Sequence, residues 1–313
     1  MNRYVPETLR EMGHEAAVFD FRAGGLHPLI LKKINRAGWM RYMDERLVRM
    51  VEETAPDAFL AVYGLDHGPR VFDALRRKGV PTICWWLNDP FQFSRSAGRA
   101  GLYDYYFTNS RGVLPAYREL GLKNVHYLPV GIYPPVHRKM PGETPRYEVC
   151  FAGDWSPVRE EVIGALAADF DVSIFGPWKK RVGKDSPLSG RVRGGKFFSP
   201  EAMAGLFNRS RVVLNIHSWF GKWDYGVNPR LFEANGCGSF QVCDFKREIP
   251  ELYEDGKEIV LYGSLSELKE KLEYYLAHEN ERRQIAENAL SRSHKEHTYR
   301  HRLAEMLSVC SLT

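Results

Sequence analysis

Short apolar runs alternate with longer amphipathic stretches along most of this chain. The runs Ala58–Tyr63, Thr82–Trp86, Asp104–Thr108 and Asn124–Leu128 are rich in β-branched and aromatic residues and too short to be helices. So are Tyr147–Gly153, Asp171–Gly176, Val212–Ile216, Ser239–Cys243 and Ile259–Tyr262, and all of these read as buried strands. Between them the spacing changes to that of a helix. Trp39–Thr54 carries Met40, Met43, Leu47, Met50 and Val51 on one face, and a later helix carries Leu265, Leu268, Leu272 and Leu276. Three helix starts are marked by a capping residue followed by proline: Ser156-Pro157, Ser199-Pro200 and Asn228-Pro229. The cap accepts a bond from the open first turn, and proline lacks only an N–H that has no partner there anyway. Strands alternating with helices at this spacing predict an α/β fold with parallel sheets covered on both faces.

The beginning of the chain fits this scheme less well. A helix is expected over Asn2–Met12, closed by Gly13, and a strand over His14–Phe21. In a doubly wound sheet a glycine-rich strand precedes such a helix and lies centrally, beside Ala58–Tyr63. No such strand precedes this helix, so the expectation is that the natural chain begins upstream of Met1, leaving unpaired backbone at the centre of the first sheet. Length and punctuation predict two domains. Residues 1–131 form the first and a proline-rich linker covers 132–146. A second domain follows over 147–294, and a terminal helical segment over 295–313.

Composition narrows the function. A net charge of +5 suits an anionic small substrate and is too slight to argue for nucleic acid. No apolar run approaches a transmembrane span, and no charged-then-apolar leader opens the sequence. The five cysteines are scattered and odd in number, which points to reduced thiols, a cytoplasmic protein and no structural zinc. No G-x-G-x-x-G follows any expected strand, which disfavours a dinucleotide oxidoreductase.

The chemistry concentrates between Val212 and Asp244. Strand, aromatic loop, short helix and strand follow one another there, which places a helix N-terminus at the C-terminal edge of a parallel sheet, where α/β folds bind phosphates. Arg230 and Glu233 share one face of that helix, a cation for a diphosphate and a carboxylate for a ribose diol. Asn215 and His217 alternate on the preceding strand and point the same way. Plainer alternatives stand beside each assignment: a solvated amphipathic helix, and a histidine that only braces the fold. In the first domain Asn88-Asp89-Pro90 follows a strand directly, so Asp89 is the candidate general base, with Asp66 and His67 as second choice. An Asx turn before proline explains Asp89 equally well. Trp219, Trp223 and Tyr225 offer faces for a sugar or a base, and the basic loop Lys179–Lys196 offers charge for a phosphate or simply a solvated surface. Asp169-Phe170-Asp171 precedes a strand rather than ending one, so it reads as a helix-end charge pair and not as a metal motif.

The stretch GVNPRLFEANGCGSF resembles the donor-site helix of GT-B glycosyltransferases, specifically the CgeB-like, spore-maturation-protein-like family, with its N-x-R-x-F-E-A and a small-residue turn. The likeness runs from Leu9 to Leu307 and is strongest from Asn215 onward. It implies two Rossmann-like domains facing a cleft, with a C-terminal helix over His297–Leu307 crossing back to the N-terminal domain. It also implies a donor site at Asn228, Arg230, Leu231, Phe232 and Glu233, with Glu233 on the ribose and Arg230 near the diphosphate. A family-like F-x-G-x-x-x-x-x-R adds Gly153 and Arg159, a G-x-W turn adds Gly176, and a W-x-x-D pattern before proline supports Asp89. The function implied is transfer of a sugar from a UDP-, GDP- or dTDP-linked donor to an acceptor of unknown class, be it glycan, protein or small molecule. The nucleotide sugar is a co-substrate, and neither cofactor nor metal is needed. The alternative is a non-catalytic relative that binds sugar nucleotides or glycans in a surface or spore structure.

Overall fold

The computed structural model describes residues 3–21, 33–64, 67–194 and 198–312. Asp66 and Lys196 therefore lie outside the described residues. The chain divides into two compact units, residues 1–129 with 303–313, and residues 130–302.

The first unit holds four parallel strands in the order β1-β2-β3-β4: β1 (Phe59–Val62), β2 (Thr82–Trp86), β3 (Tyr105–Thr108) and β4 (Val125–Tyr127). Every residue of β2 is buried, as its unbroken apolar run requires. Helices α1 (Tyr4–Glu11), α2 (Arg36–Thr54), α3 (Pro69–Arg77), α4 (Phe93–Ala100) and α5 (Leu114–Glu119) accompany the sheet. Helix α4 has no counterpart in the periodicity reading, because FSRSAGRA offers little apolar pattern to detect. The strand expected over His14–Phe21 is not formed. Residues 14–20 belong to no strand, and β1 is the edge of the described sheet.

The second unit holds five parallel strands in the order β6-β5-β7-β8-β9: β5 (Tyr147–Ala152), β6 (Val172–Phe175), β7 (Ser210–Asn215), β8 (Gln241–Asp244) and β9 (Val260–Tyr262). Strand order reverses between β5 and β7, and ligands in such sheets bind beyond the strand ends at that point. Val149, Phe151, Val212, Leu214, Ile216 and Val242 form the centre of its core, closed by Ile163 and Leu166 of α6 (Pro157–Leu166). The three expected caps are present, Ser156 accepting from Arg159 N, Ser199 from Ala202 N and Asn228 from Leu231 N, and Ser264 caps a fourth helix by accepting from Glu267 N. They open α6, α7 (Pro200–Asn208), α8 (Pro229–Gly236) and α10 (Leu265–Ala277), with α9 (Ile249–Leu252) between the last two.

Residues 132–146 are not a free linker. Ile132 is fully buried and forms a parallel bridge with Thr298, its N–H donating to His297 O at 2.8 Å. Gly236 lets this strap lie against α8, since a Cβ there would sit 2.7 Å from Ile132. Helix α11 (Glu279–Glu296) and helix α12 (Tyr299–Val309) end the described chain. All five cysteines are buried and unbridged. Among the described residues no helix is long and apolar enough to cross a membrane.

Candidate functional site

The switch point of the second sheet brings together Gly153 after β5, Gly176 after β6, His217 after β7 and the start of α8. Gly153 N–H donates to Phe175 O, and Trp178 Nε1–H to Gly153 O, each at 2.9 Å. Gly176 has φ +149°, and a Cβ there would meet Gly153 O at 2.2 Å, so only glycine fits this turn. Trp178 is fully buried behind it and serves as packing.

Arg159, in the first turn of α6, folds back over this edge. Its Nε donates to Ile216 O at 2.8 Å and its Nη1 to Asp154 O at 2.9 Å. Both acceptors are main-chain carbonyls, and Asp154 and Asp244 act on it through space rather than by direct pairing. Burial, and after it the nearby Arg230, pull its pKa down to about 10. Arg230 rests on the Phe207 ring and pairs with Glu233 one turn along α8, each side chain 22% exposed. Two guanidinium groups and one half-buried carboxylate thus stand beside an Asn228-capped helix N-terminus, whose open N–H groups add positive character. Leu231 and Phe232, on the opposite face of α8, are fully buried; Phe232 packs on Tyr253 and His297. Their side chains pack α8 onto the interior of the second unit.

Asn215 and His217 do point the same way, but into the protein. Asn215 exchanges hydrogen bonds with Asn228, its Oδ1 accepting at 2.8 Å, and donates to Gln241 Oε1 at 3.0 Å. His217 is wholly buried; its Nδ1 lies 2.7 Å from Asp244 Oδ1, and its Nε2 accepts the Asn228 N–H at 3.1 Å. The expectation that these two side chains touch sugar or diphosphate is corrected: His217 Nε2 and the Asn215 amide brace Asn228, and His217 Nδ1 is taken by Asp244. Asp244 also accepts the His217 N–H at 2.8 Å, and Lys246 Nζ stands 2.6 Å from its other oxygen as an ion-pair partner. Burial alone would raise the Asp244 pKa, but His217 and Lys246 outweigh it and lower it to about 2. His217, Cys243 and Asp244 are close enough together to invite comparison with a metal site. The donor chemistry does not fit one, because Asp244 is already matched to an ammonium and His217 has no lone pair left.

The aromatic loop is pinned to the same region. Trp219 packs on His217 and donates to Tyr225 O, while Gly226 N–H donates to Glu248. Trp219 is therefore buried packing; Trp223 and Tyr225 are half-buried. Asp169 pairs with Lys269 and Asp171 with Arg191, each carboxylate answered by a cation.

In the first unit both acid–base candidates are interior. Asp89 is 0% exposed, and its carboxylate accepts from Trp86 Nε1 at 3.1 Å, Ser96 Oγ at 3.0 Å, Thr108 Oγ1 at 2.7 Å and Tyr117 OH at 2.9 Å. The peptide to Pro90 is cis. Its oxygens face those donors and not a substrate, so Asp89 is a structural carboxylate and not the expected base. His67 is also buried, its ring packed against Phe21, Phe59 and Phe72. It belongs to the core for the same reason. Asp244, Lys246 and His137 were missed by sequence reasoning. His137 sits in the strap beside α8, taking the Tyr133 N–H on Nδ1 at 3.0 Å and lying within electrostatic reach of Glu233. For Asp244 and Lys246 a signal existed: a charged residue closing the buried run QVC, and a second two positions later.

A family model described as glycosyl transferase-like matches residues 159–308. The spore protein CgeB of Bacillus subtilis (strain 168) is 25% identical over 250 residues, covering 75% of this chain and 77% of that protein. Among solved structures, Anabaena HepE in complex with UDP and glucose superposes with a TM-score of 0.65 at 17% identity, covering 97% of this chain and 88% of that one. A glycosyltransferase from Rickettsia africae gives 0.66 at 10% identity over 98% and 92%. Sucrose-phosphate synthase from Thermosynechococcus elongatus gives 0.65 at 11% identity over 88% and 78%. These structural likenesses establish the fold.

Proposed function

We propose that this chain, which has the GT-B fold, is a glycosyltransferase similar to CgeB that takes its sugar from a UDP-linked donor held at the start of α8 and needs no metal to do so. The observation that carries this reading is the pair Arg159 and Arg230 beside the Asn228-capped N-terminus. The Arg159 guanidinium is half-buried and hydrogen-bonded to two main-chain carbonyls, and its charge adds to that of Arg230 as a positive patch that an anion would relieve. In this reading the diphosphate lies against the two guanidinium groups and the open N–H groups of α8. As the bond to the sugar breaks, negative charge builds on the departing diphosphate. Preformed cations at that spot stabilise it more than they stabilise the bound donor, which is the condition for faster reaction. Glu233 is placed by the same reading on the ribose hydroxyls, with Arg230 holding its carboxylate in position. Gly153 and Gly176 let main chain approach the nucleotide closely. UDP is favoured over other nucleotides because HepE, which shares the fold, was solved with UDP and glucose.

A thermal-shift screen against UDP-, GDP-, dTDP- and CMP-sugars tests this, because a ligand that binds the native state raises its melting temperature. UDP-sugars are expected to give the largest shift, and Glu233→Ala to remove it while the unliganded melting temperature changes little. A normal shift in Glu233→Ala would place the nucleotide elsewhere. Release of sugar from the responding donor, with and without added divalent ion and chelator, checks turnover and its independence of metal.

A further inference from the structure

The buried row Lys246–Asp244–His217 ends on the backbone N–H of Asn228, the residue that caps α8. We infer that Lys246, acting through Asp244, keeps the His217 ring neutral with its proton on Nδ1, so that Nε2 stays an acceptor and fixes the start of the donor helix. These three are positioning residues; none touches the donor. The inference rests on the donor-site reading only in its consequence for nucleotide binding.

A backbone N–H can only donate, so the 3.1 Å contact between Asn228 N and His217 Nε2 requires a lone pair on Nε2. The ring proton must then sit on Nδ1, where Asp244 Oδ1 receives it at 2.7 Å. A buried histidine against a lone carboxylate would instead tend to take up a second proton, because opposite charge favours the imidazolium. Protonated Nε2 would then confront the Asn228 N–H, donor against donor. Lys246, 2.6 Å from Asp244 Oδ2 and itself buried, supplies the counter-charge and makes the second proton unnecessary. Other groups also face His217. Arg159 adds positive charge and works in the same direction, Trp219 packs on the ring, Cys243 is a buried thiol nearby, and Tyr262 faces Asp244 from β9. Burial lowers the His217 pKa, in keeping with a neutral ring. The Asn215–Asn228 amide exchange then transmits the fixed position to the cap that Leu231 N–H requires.

The unmodified protein gives the first test. Nitrogen-15 NMR of the histidine rings should show His217 neutral with Nδ1 protonated from about pH 8 down to about pH 5. An imidazolium, or a proton on Nε2, overturns the inference without any variant. In Lys246→Met the ring is expected to titrate, and the Asn228 amide signal to move with it. UDP affinity should then fall about tenfold from about pH 8 to about pH 6, against less than about twofold in the wild type. Adding His217→Gln, which cannot take up a proton, should abolish that pH dependence. Persistence of the dependence in the double variant would identify a different titrating group and sink the inference. So would a Lys246→Met protein whose Asn228 amide ignores pH. If wild-type protein binds no UDP at all, it is the donor reading that fails; the ring and amide signals still decide the network.

Discussion

Asp89 and Asp244 are both fully buried carboxylates, one in each unit, and they are held in opposite ways. Asp89 is surrounded by an indole and three hydroxyl groups, all neutral. Burial raises its pKa, and those four partners recover only part of the loss. Asp244 faces the same burial but has an ammonium on one oxygen and an imidazole on the other, and its pKa falls to about 2. Dipoles alone do not compensate a carboxylate for lost water, whereas an adjacent cation does. The consequence is functional. Asp89 ties β2, α4, β3 and α5 together inside the first unit. Asp244 stores a fixed charge at the edge of the second sheet, where it can set the state of His217 and thereby the cap of α8.

The comparison breaks most visibly under isosteric substitution. Asp244→Asn removes the countercharge and turns an amide NH2 toward Lys246, which has only donors to offer. A buried ammonium without a partner costs about 3–5 kcal/mol, so the second unit should lose that much. Asp89→Asn is gentler, because the Thr108 and Tyr117 hydroxyls can rotate from donating to accepting. Its expected cost is about 1–2 kcal/mol, confined to the first unit. Urea unfolding resolved by hydrogen exchange over β2 and β8 assigns each loss to its unit. Equal costs for the two variants would mean that Lys246 is not charged against Asp244, and the contrast would fall.

How much of this was legible beforehand follows from what kind of signal each feature carries. The strands of the second unit and the three Ser/Asn-Pro helix starts could be read because β-branched runs and cap-proline pairs are local signals. The Arg230–Glu233 pair was legible for the same reason, being fixed by helix spacing alone. Burial was not. Asp89 and His217 lie at strand ends, where ligands commonly bind, and nothing local announces that Tyr117 or Asp244 will arrive from 28 or 27 residues away to occupy them. The strap over 132–146 was misread because proline-rich sequence looks like linker until its partner at Thr298 is known. Strand His14–Phe21 failed differently: its pattern is adequate, but a strand exists only when a neighbour accepts its hydrogen bonds.

The smallest expected effect sharpens the contrast by its sign. A group with a lowered carboxyl pKa contributes stability above the ordinary value of 3.8 and loses it as pH falls toward about 2, so Asp244 makes the second unit acid-labile. Buried neutral histidines act in the same direction. The pKa values of His217 and His297 lie below their ordinary 6.5, so the unfolded chain binds protons that the folded one refuses, and stability falls as acid is added. Asp89 runs the other way. Its raised pKa means that the folded unit holds a proton more tightly than the unfolded chain, so its contribution is greatest in acid and declines as pH rises above 3.8. The first unit contains other shifted groups, among them Asp44 and His126, so the signature of Asp89 is the difference between wild type and Asp89→Asn. That difference should shrink as pH rises through the Asp89 window. The corresponding difference for Asp244→Asn should grow as pH rises from about 2 toward 3.8 and then level off. Hydrogen exchange over β2 and β8 across that acid range reads both slopes in one experiment. Two slopes of the same sign would show that the carboxylates are held alike after all, and that the cation beside Asp244 does not determine its state.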